Sequence, residues 1–251
     1  MKIEAFVIHL ARATRRRAQV ERIIAACPLT THIVDAVDGR AMDEAARAAV
    51  YRRDLFKPRY PFELTPGEIG CFLSHRRAWQ EIVSRGLDAG FVVEDDIEVD
   101  PVVFSRSLNF SASRILEDGY TQFQVRTMAE TGTVLACGDG VTIARPAVTP
   151  LRASSQLISR EAAGRLLRLS EAFDRPVDAL VQMHWLTGIQ ARLAIPSGMR
   201  EISGKIGGTT IQKKSRTLCN RLRHEVMRPI YLSRIARLSR NHNGRGSEMS
   251  Q

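Results

Sequence analysis

Six consecutive residues, Phe91-Val92-Val93-Glu94-Asp95-Asp96, restrict the fold of this chain more than any other stretch. The three apolar residues suit a parallel strand buried on both faces, and such strands belong to sheets covered by helices on either side. The run then ends abruptly in three acids. Two carboxylates about 5 Å apart repel by on the order of 1–3 kcal/mol at effective dielectrics of about 20–80, so a bound cation is one natural remedy. In open α/β sheets ligands collect outside the carboxyl ends of the strands, which is where these acids fall. A divalent cation holding a diphosphate is one reading of the triplet. A solvated strand end with an aspartate capping the next helix is the other.

The surrounding chain alternates strand and helix patterns. Lys2 to Leu10 reads as a first strand, since Glu4 interrupts its only apolar run, and no window approaches the ~20 apolar residues of a membrane span. It feeds the basic segment Arg12 to Arg17, which opens a helix through Ile24. Backbone N–H groups and guanidinium forks converge at such a turn, so Arg16 and Arg17 are candidates for holding a diphosphate. A second strand, His32 to Asp35, ends in an acid that can reach a ribose or base, or simply form the turn toward Asp38-Gly39. An alanine-rich helix is expected near residues 41–53.

Thr65-Pro66-Gly67-Glu68 carries an N-cap, a proline at the first helical position and the acid of a capping box. That accounts for Glu68 structurally. Glu68, Cys71, His75 and Trp79 also recur at spacings of three and four along one helical face, where Ser74 and His75 can line a cleft. Asp100 caps a further helix at Pro101. Gln122 to Arg126 reads as a strand, followed by a hairpin around Gly138-Asp139-Gly140. Ser154 to Ser159 reads as a strand capped into the helix from Arg160 to Ser170, and Ile189 to Ile195 as a last strand. Asp178 falls in the first turn of a helix opened by Pro176, where the dipole favours an ionised carboxylate and hence a general base.

Charge divides the chain. Twelve Lys/Arg and three acids lie from residue 200 onward, against 25 basic and 24 acidic residues before it, so nearly all of the net +10 belongs to the tail. The tail reads as two helices split at Pro229. Tyr231, Ile235 and Leu238 form an apolar face opposite Arg234, Arg237 and Arg240, a pattern that suits an anionic membrane surface or, alternatively, packing on the body. Residues Asn241 to Gln251 are polar and expected to be disordered. The four cysteines are scattered without a CxxC pair, which fits a reduced, cytoplasmic setting rather than a zinc ribbon or disulfide framework.

Several of these pieces form an ordered set: Val7-Ile8-His9-Leu10 with Arg16-Arg17; Asp35-Ala36; Gly67-Glu68-Ile69-Gly70-Cys71 with Ser74-His75 and Trp79; Glu94-Asp95-Asp96; Leu157-Ile158-Ser159-Arg160; and Pro176-Val177-Asp178. In this order and spacing the chain resembles glycosyltransferase family 25, the lipopolysaccharide and lipooligosaccharide β-galactosyltransferases, over about residues 5–200. The resemblance implies an α/β fold: one Rossmann-like nucleotide-sugar transferase domain of the A-type at residues 1–203, followed by a basic helical tail at 204–251. It also implies a DxD-like site in which Glu94 and Asp96 hold Mn2+ or Mg2+ on the donor diphosphate. Arg16, Arg17, Asp35, Ser74, Glu94 and Asp95 are then candidates for the donor, and Asp178, Glu68 and His75, in that order, for the base of an inverting transfer. The chain departs from the family at His9, where Asn or Ser is common, and at Ser155-Gln156-Leu157, which lacks the usual tyrosine and small residues.

The expected activity is therefore metal-dependent transfer of galactose or a related hexose from a UDP-sugar to a lipid-linked oligosaccharide, at the inner face of the inner membrane with the basic tail as anchor. A catalytically inactive binding subunit is one alternative. A nucleic-acid-binding protein is the other, disfavoured because the charge sits in a tail with one aromatic, Tyr231, and no base-reading motif.

Overall fold

The computed structural model describes residues 1–126, 131–204 and 218–248, with the side chains of the last segment described from 225 to 242. The chain enters as β1 (Ile3–His9), turns through a 3-10 turn at Thr14–Arg16 into α1 (Arg17–Ala26) and returns as β2 (Thr31–Asp35). Helices α2 (Glu44–Val50) and α3 (Pro66–Ser84) precede β3 (Ala89–Glu94). A short β4 (Ile97–Val99), α4 (Pro101–Ala112) and α5 (Ile115–Asp118) lead to β5 (Tyr120–Phe123). The hairpin of β6 (Thr133–Gly138) and β7 (Val141–Arg145) comes next, then β8 (Ser155–Ser159), α6 (Arg160–Leu169) and α7 (Val177–Val181). The order ends with α8 (His184–Thr187), β9 (Arg192–Ile195), β10 (Met199–Glu201) and α9 (Leu218–Glu248).

Eight strands form one mixed sheet in the order β2-β1-β3-β8-β5-β9-β7-β6. Alternation along each central strand feeds two cores. Phe6, Ile8 and Val92 pack with Phe72, Trp79 and Leu166 of α3 and α6 on one face. Ala5, Val7, Phe91 and Val93 pack with Val20 of α1 and Phe104 of α4 on the other. The result is the three-layered α/β architecture expected from the apolar strand. The pairing of β3 is only half as expected: it is parallel to β1 but antiparallel to β8, with Val92 opposite Gln156. A continuous apolar run reports burial of both faces, not the direction of the neighbouring strand.

The chain passes from β1 outward to β2 and then crosses back to β3 on the other side of β1. That reversal opens a crevice at the carboxyl ends of β1 and β3, where the acids lie. A second, two-stranded ribbon pairs β4 with β10, placing Glu201 opposite Ile97 just beyond the acids. The start of α3 forms one wall of the crevice. Its capping box is complete, with Thr65 Oγ1 accepting from Glu68 N at 3.2 Å and Glu68 Oε2 accepting from Thr65 N at 2.7 Å.

The tail departs from expectation. The helix α9 runs unbroken through Pro229, so there is no division into two helices. It continues to Glu248, so the polar segment from Asn241 is helical that far, and only residues 249–251 of it lie outside the described chain. The apolar face docks on the body: Tyr231 and Ile235 are buried beside Met183, with Phe56, Tyr60 and Trp185 around them. Leu238, expected on that face, is 36% exposed, and Ser239 is buried instead. Arg234, Arg237 and Arg240 point to solvent.

The loop after β2 is pressed against α3 by two glycines. A Cβ at Gly39 would sit 1.8 Å from the Pro66 carbonyl oxygen, whereas one at Gly164 of α6 would meet only the end of the Arg168 side chain, at 3.5 Å. Gly39→Ala is therefore expected to lower stability by roughly 1–3 kcal/mol, while Gly164→Ala should be neutral or stabilising, by up to about 1 kcal/mol. Urea unfolding midpoints of the two variants check the contrast.

Candidate active site

At the end of β3 the three acids separate into different roles. Asp95 turns inward, is 5% exposed and spends both oxygens on the protein: Oδ2 lies 2.7 Å from His9 Nδ1, and Oδ1 accepts from Arg16 Nη1. The same guanidinium nitrogen stands 3.4 Å from Asp96 Oδ2. Arg16 thus belongs to the site as expected, but as the clamp of the acidic turn. Asp95, expected to touch the donor, is instead the anchor on which that turn is held.

Glu94 is governed by α3. His75 Nε2 lies 3.0 Å from Glu94 Oε1, and the Cys71 thiol reaches the same oxygen at 3.8 Å. Gln156 fixes the histidine. Its Nε2 must donate to the Ala153 carbonyl at 3.2 Å, so the same amide nitrogen donates to His75 Nδ1 at 3.0 Å and leaves Nε2–H to donate to Glu94. Burial works to raise the Glu94 pKa, but the hydrogen bond from His75 and the charge of Arg16 outweigh it and hold the carboxyl below its ordinary value. Asp96 goes the other way. Burial first, and the charge of Glu94 second, push it up to about 7.

Glu94 and Asp96 line a cavity of about 400 Å3 that also takes in Glu68, Asp178, Arg152 and Glu201. Asp178 is held by two backbone amides, accepting from Ala179 N at 2.8 Å and from Arg152 N at 3.0 Å. Burial raises its pKa despite these bonds, and the charge of Glu94 adds to the effect. The helix-start position favours the ionised form, but removal from water outweighs it in setting the direction of the shift.

Arg152 shapes this corner. Its backbone is in the left-handed region at φ 90°, a costly conformation for a residue with a side chain. Three buried glutamines hold the loop that contains it. Gln182 bonds the Thr149 carbonyl at 2.6 Å, Gln122 bonds that of Arg152, and Gln156 that of Ala153. The Arg152 guanidinium pairs with Glu201, whose carboxylate also takes Arg126 at 3.0 Å and Ser203 Oγ at 2.8 Å. Arg152 and Glu201 are absent from the sequence reading because no local signal marks them.

A smaller space of about 90 Å3 shares Glu94, Asp96 and Cys71 with this cavity and extends over β1 and β2. Arg12 and Asp38 line it, paired with each other. Ser74 lines it too, but its Oγ is committed, accepting from Val37 N at 2.8 Å and donating to the Gly70 carbonyl at 2.6 Å. Two expected donor contacts lie elsewhere. Arg17 is exposed and pairs with Glu21 at 3.8 Å, and Asp35 is exposed at the strand end outside both linings. One helical turn and one loop step decide this, so that Arg12 and Asp38 stand where Arg17 and Asp35 were expected. Among the three candidate bases, His75 has both ring nitrogens engaged, whereas Glu68 and Asp178 both line the cavity, Glu68 with Oε2 in the capping box and Asp178 with each oxygen accepting one backbone N–H.

Residues 2–134, just over half of the chain, match the sequence profile of glycosyltransferase family 25 (LPS biosynthesis protein). The chain belongs to glycosyltransferase family 25. Procollagen galactosyltransferase 1 of Danio rerio is 39% identical over 108 residues, which is 42% of this chain and 18% of that protein. Procollagen galactosyltransferase 2 of Homo sapiens is 38% identical over 100 residues, 39% of this chain and 16% of that one. The probable inactive glycosyltransferase 25 family member 3 of Rattus norvegicus is 36% identical over 122 residues, 47% of this chain and 20% of that one. The chain thus matches only about a fifth of the length of these curated relatives. The crystal structure of S. aureus TarS 1-349 superposes with a TM-score of 0.40 at 10% identity, over 81% of this chain and 61% of that one, too loosely to bear on function.

The family-25 segment contains the acidic triplet and α3, while Asp178, Arg152, Glu201 and α9 lie beyond it. Two donor sets near the triplet are candidates for a metal. Cys71, His75 and Glu94 bring ligand atoms within 4.8 Å of one another, but the histidine has no free nitrogen and burial holds the thiol well above its ordinary pKa. Glu94 and Asp96 offer oxygens to the cavity, and a carboxylate whose pKa is raised by burial first and its neighbour's charge second is what a hard divalent cation relieves. The residues present therefore fit Mn2+ or Mg2+ on Glu94 and Asp96.

Asp96 favours the folded state when neutral, so its contribution is present below its ordinary pKa of 3.8 and is lost as pH rises through about 7. In the metal-free chain Asp96→Asn should stabilise by roughly 1–3 kcal/mol at pH 8 and have little effect near pH 4. At pH 8 added Mn2+ should raise the melting temperature of the wild type and not of the variant. Thermal unfolding with and without chelator checks both.

Proposed function

We propose that this chain catalyses inverting, metal-dependent transfer of a hexose, galactose or a close relative, from a UDP-sugar to a hydroxyl of a lipid-linked glycan such as a lipopolysaccharide core. The observation that carries the reading is the pair Glu94 and Asp96 at the crevice between β1 and β3, in one cavity with Asp178. The galactosyltransferase names of two relatives support the donor sugar, and the family's description as an LPS biosynthesis protein supports the acceptor.

A divalent cation held by Glu94 and Asp96 supplies Lewis-acid stabilisation of the departing diphosphate when bound. The remaining work falls to the chain. His75 and Gln156 fix the Glu94 carboxylate, while Arg16 and His9 fix the turn from which Asp96 projects. The space beside Arg12 and Asp38, at about 90 Å3, has room for only part of a nucleotide, and the larger cavity that shares Glu94 and Asp96 with it suits the sugar and the attacking hydroxyl. Asp178 takes the proton from that hydroxyl. Two backbone N–H groups aim its oxygens, and its raised pKa makes it a stronger base than a solvated carboxylate. One in-line displacement inverts the sugar carbon.

A second reading, donor binding without transfer, is favoured by the relatives named as inactive, which match as well as the galactosyltransferases do. Turnover separates the two. By calorimetry, UDP-galactose should bind only with Mn2+, and Asp96→Asn should abolish binding. Asp178→Asn should leave binding within about twofold and lower kcat by about 10²-fold or more. Tight binding with no transfer to any lipid-linked glycan would favour the second reading, and absence of UDP-sugar binding in the wild type would remove both.

At the membrane, the outward arginines of α9 are the proposed contact, on a helix that buries Tyr231 and Ile235 against the body but keeps Val226, Met227, Ile230 and Leu238 exposed. No described helix is long and apolar enough to cross a membrane. Binding of the full chain to phosphatidylglycerol vesicles should fall at least tenfold between 0.1 and 0.5 M salt, as the Debye length contracts below about 5 Å. Salt-independent binding would contradict the electrostatic account.

A further inference from the structure

The 400 Å3 cavity has a second set of lining residues that donor chemistry leaves unused. Tyr60 and Phe62 come from the loop before α3, and Arg228, Tyr231 and Leu232 from α9. Tyr60 meets Phe62 edge to face at 5.6 Å and Tyr231 edge to face at 5.3 Å. The cluster is held rigidly. Arg175, fully buried, donates to the Tyr231 hydroxyl at 3.2 Å and to the carbonyls of Phe56 and Pro58 at 3.1 Å, and pairs with Asp174 at 2.6 Å. One guanidinium therefore ties the 56–60 loop to α9, and the aromatic rings keep their places without a ligand.

The acids lining the cavity all have partners. Glu68 closes the capping box, Asp178 has two backbone donors, Glu201 has Arg152 and Arg126, Glu94 has His75, and Asp96 has Arg16 at 3.4 Å. Arg228 is exposed, and among the described residues no acid forms an ion pair with it. A rigid aromatic surface next to an uncompensated guanidinium suits a sugar ring bearing a negative charge. The apolar C–H face of the ring packs on the aromatics, and the planar fork takes the anion.

We infer that Tyr60 and Phe62, backed by the buried Tyr231, form the platform for the acceptor sugar, and that Arg228 selects acceptors carrying an anionic group, carboxylate or phosphate, on that sugar. The inference rests on the transferase reading for the word acceptor. The binding site itself does not depend on it.

Three probes test the assignment on the full chain by saturation-transfer NMR and calorimetry, alone and with UDP and Mn2+: methyl β-glucoside, methyl β-glucuronide and glucose 6-phosphate. At least one anionic probe should bind about tenfold tighter than the neutral one, and which of the two does so identifies the anion. Arg228→Gln should erase that preference while UDP-galactose binding stays within about twofold. Tyr60→Leu, chosen because it leaves the Arg175 contacts intact, should weaken all three probes about tenfold. Equal binding of the three probes, a preference that survives Arg228→Gln, or displacement of the probes by UDP-galactose would each overturn the inference. Loss of UDP-galactose binding in a wild type that still discriminates the probes would instead overturn the transferase reading and leave a site for acidic glycans.

Discussion

Glu94 and Asp96 share a cavity in which both side chains are only partly exposed, and the energetic cost of that arrangement organises the structure around it. Two carboxylates in such a place cannot both ionise freely, and the protein resolves the conflict asymmetrically. Glu94 is kept charged by a histidine whose tautomer is set by Gln156, while Asp96 is left to titrate near neutrality. The third acid, Asp95, carries the mechanical load. Buried between His9 and Arg16, it ties the end of β3 to the end of β1 and to the first turn beyond it, so that Asp96 is presented from a fixed turn. On the far side the turn is closed by Ile202 N on the Asp96 carbonyl at 2.8 Å.

Both departures from the family pattern fall within this arrangement. His9 is the partner of Asp95, and Gln156 is the partner of His75. Neither faces the donor directly; each sits one bond behind an acid of the triplet. A substitution at such a position changes how strongly an acid is held without changing which acid is offered, in the way that outer-shell groups tune metal ligands. Gln156 has a second task on the Ala153 carbonyl, so the Glu94 network and the strained loop that carries Arg152 are coupled through one side chain.

What could be read in advance follows the range of the interaction. The strand of β3, the capping box at Thr65 and the cap at Asp100 are local, and each formed where its residues implied. Neighbours within one turn were harder: a basic run from Arg12 to Arg17 says that a guanidinium enters the site, but only the 3-10 turn decides that Arg16 turns in and Arg17 out. Contacts across the sheet left no local trace. Arg152, Glu201 and the three glutamines meet through pairings of β8, β5 and β10 that no spacing rule encodes. For α9 the amphipathic pattern was legible but its partner was not, since an apolar stripe fits a protein surface as well as a membrane, and Met183, Phe56 and Tyr60 were there to meet it.

The docking of α9 also divides the site along the chain. The segment shared with the family supplies the acids, the helix that orients Glu94 and the β1–β2 space, which the proposed reaction assigns to the donor, together with Tyr60, Phe62 and Glu68 of the larger cavity. Everything that reaches the cavity from residue 152 onward, including Tyr231 and Arg228, lies beyond that segment. Relatives can therefore match this chain over about 100 residues and still differ in what they glycosylate, or in whether they do so at all, because the shared part builds only one side of the cavity. Transfer needs both sides at once. Under the proposed reaction, a family member that retained the acids but lost Asp178 or the α9 side would still offer the site assigned to the donor and would have nothing to deliver the sugar to.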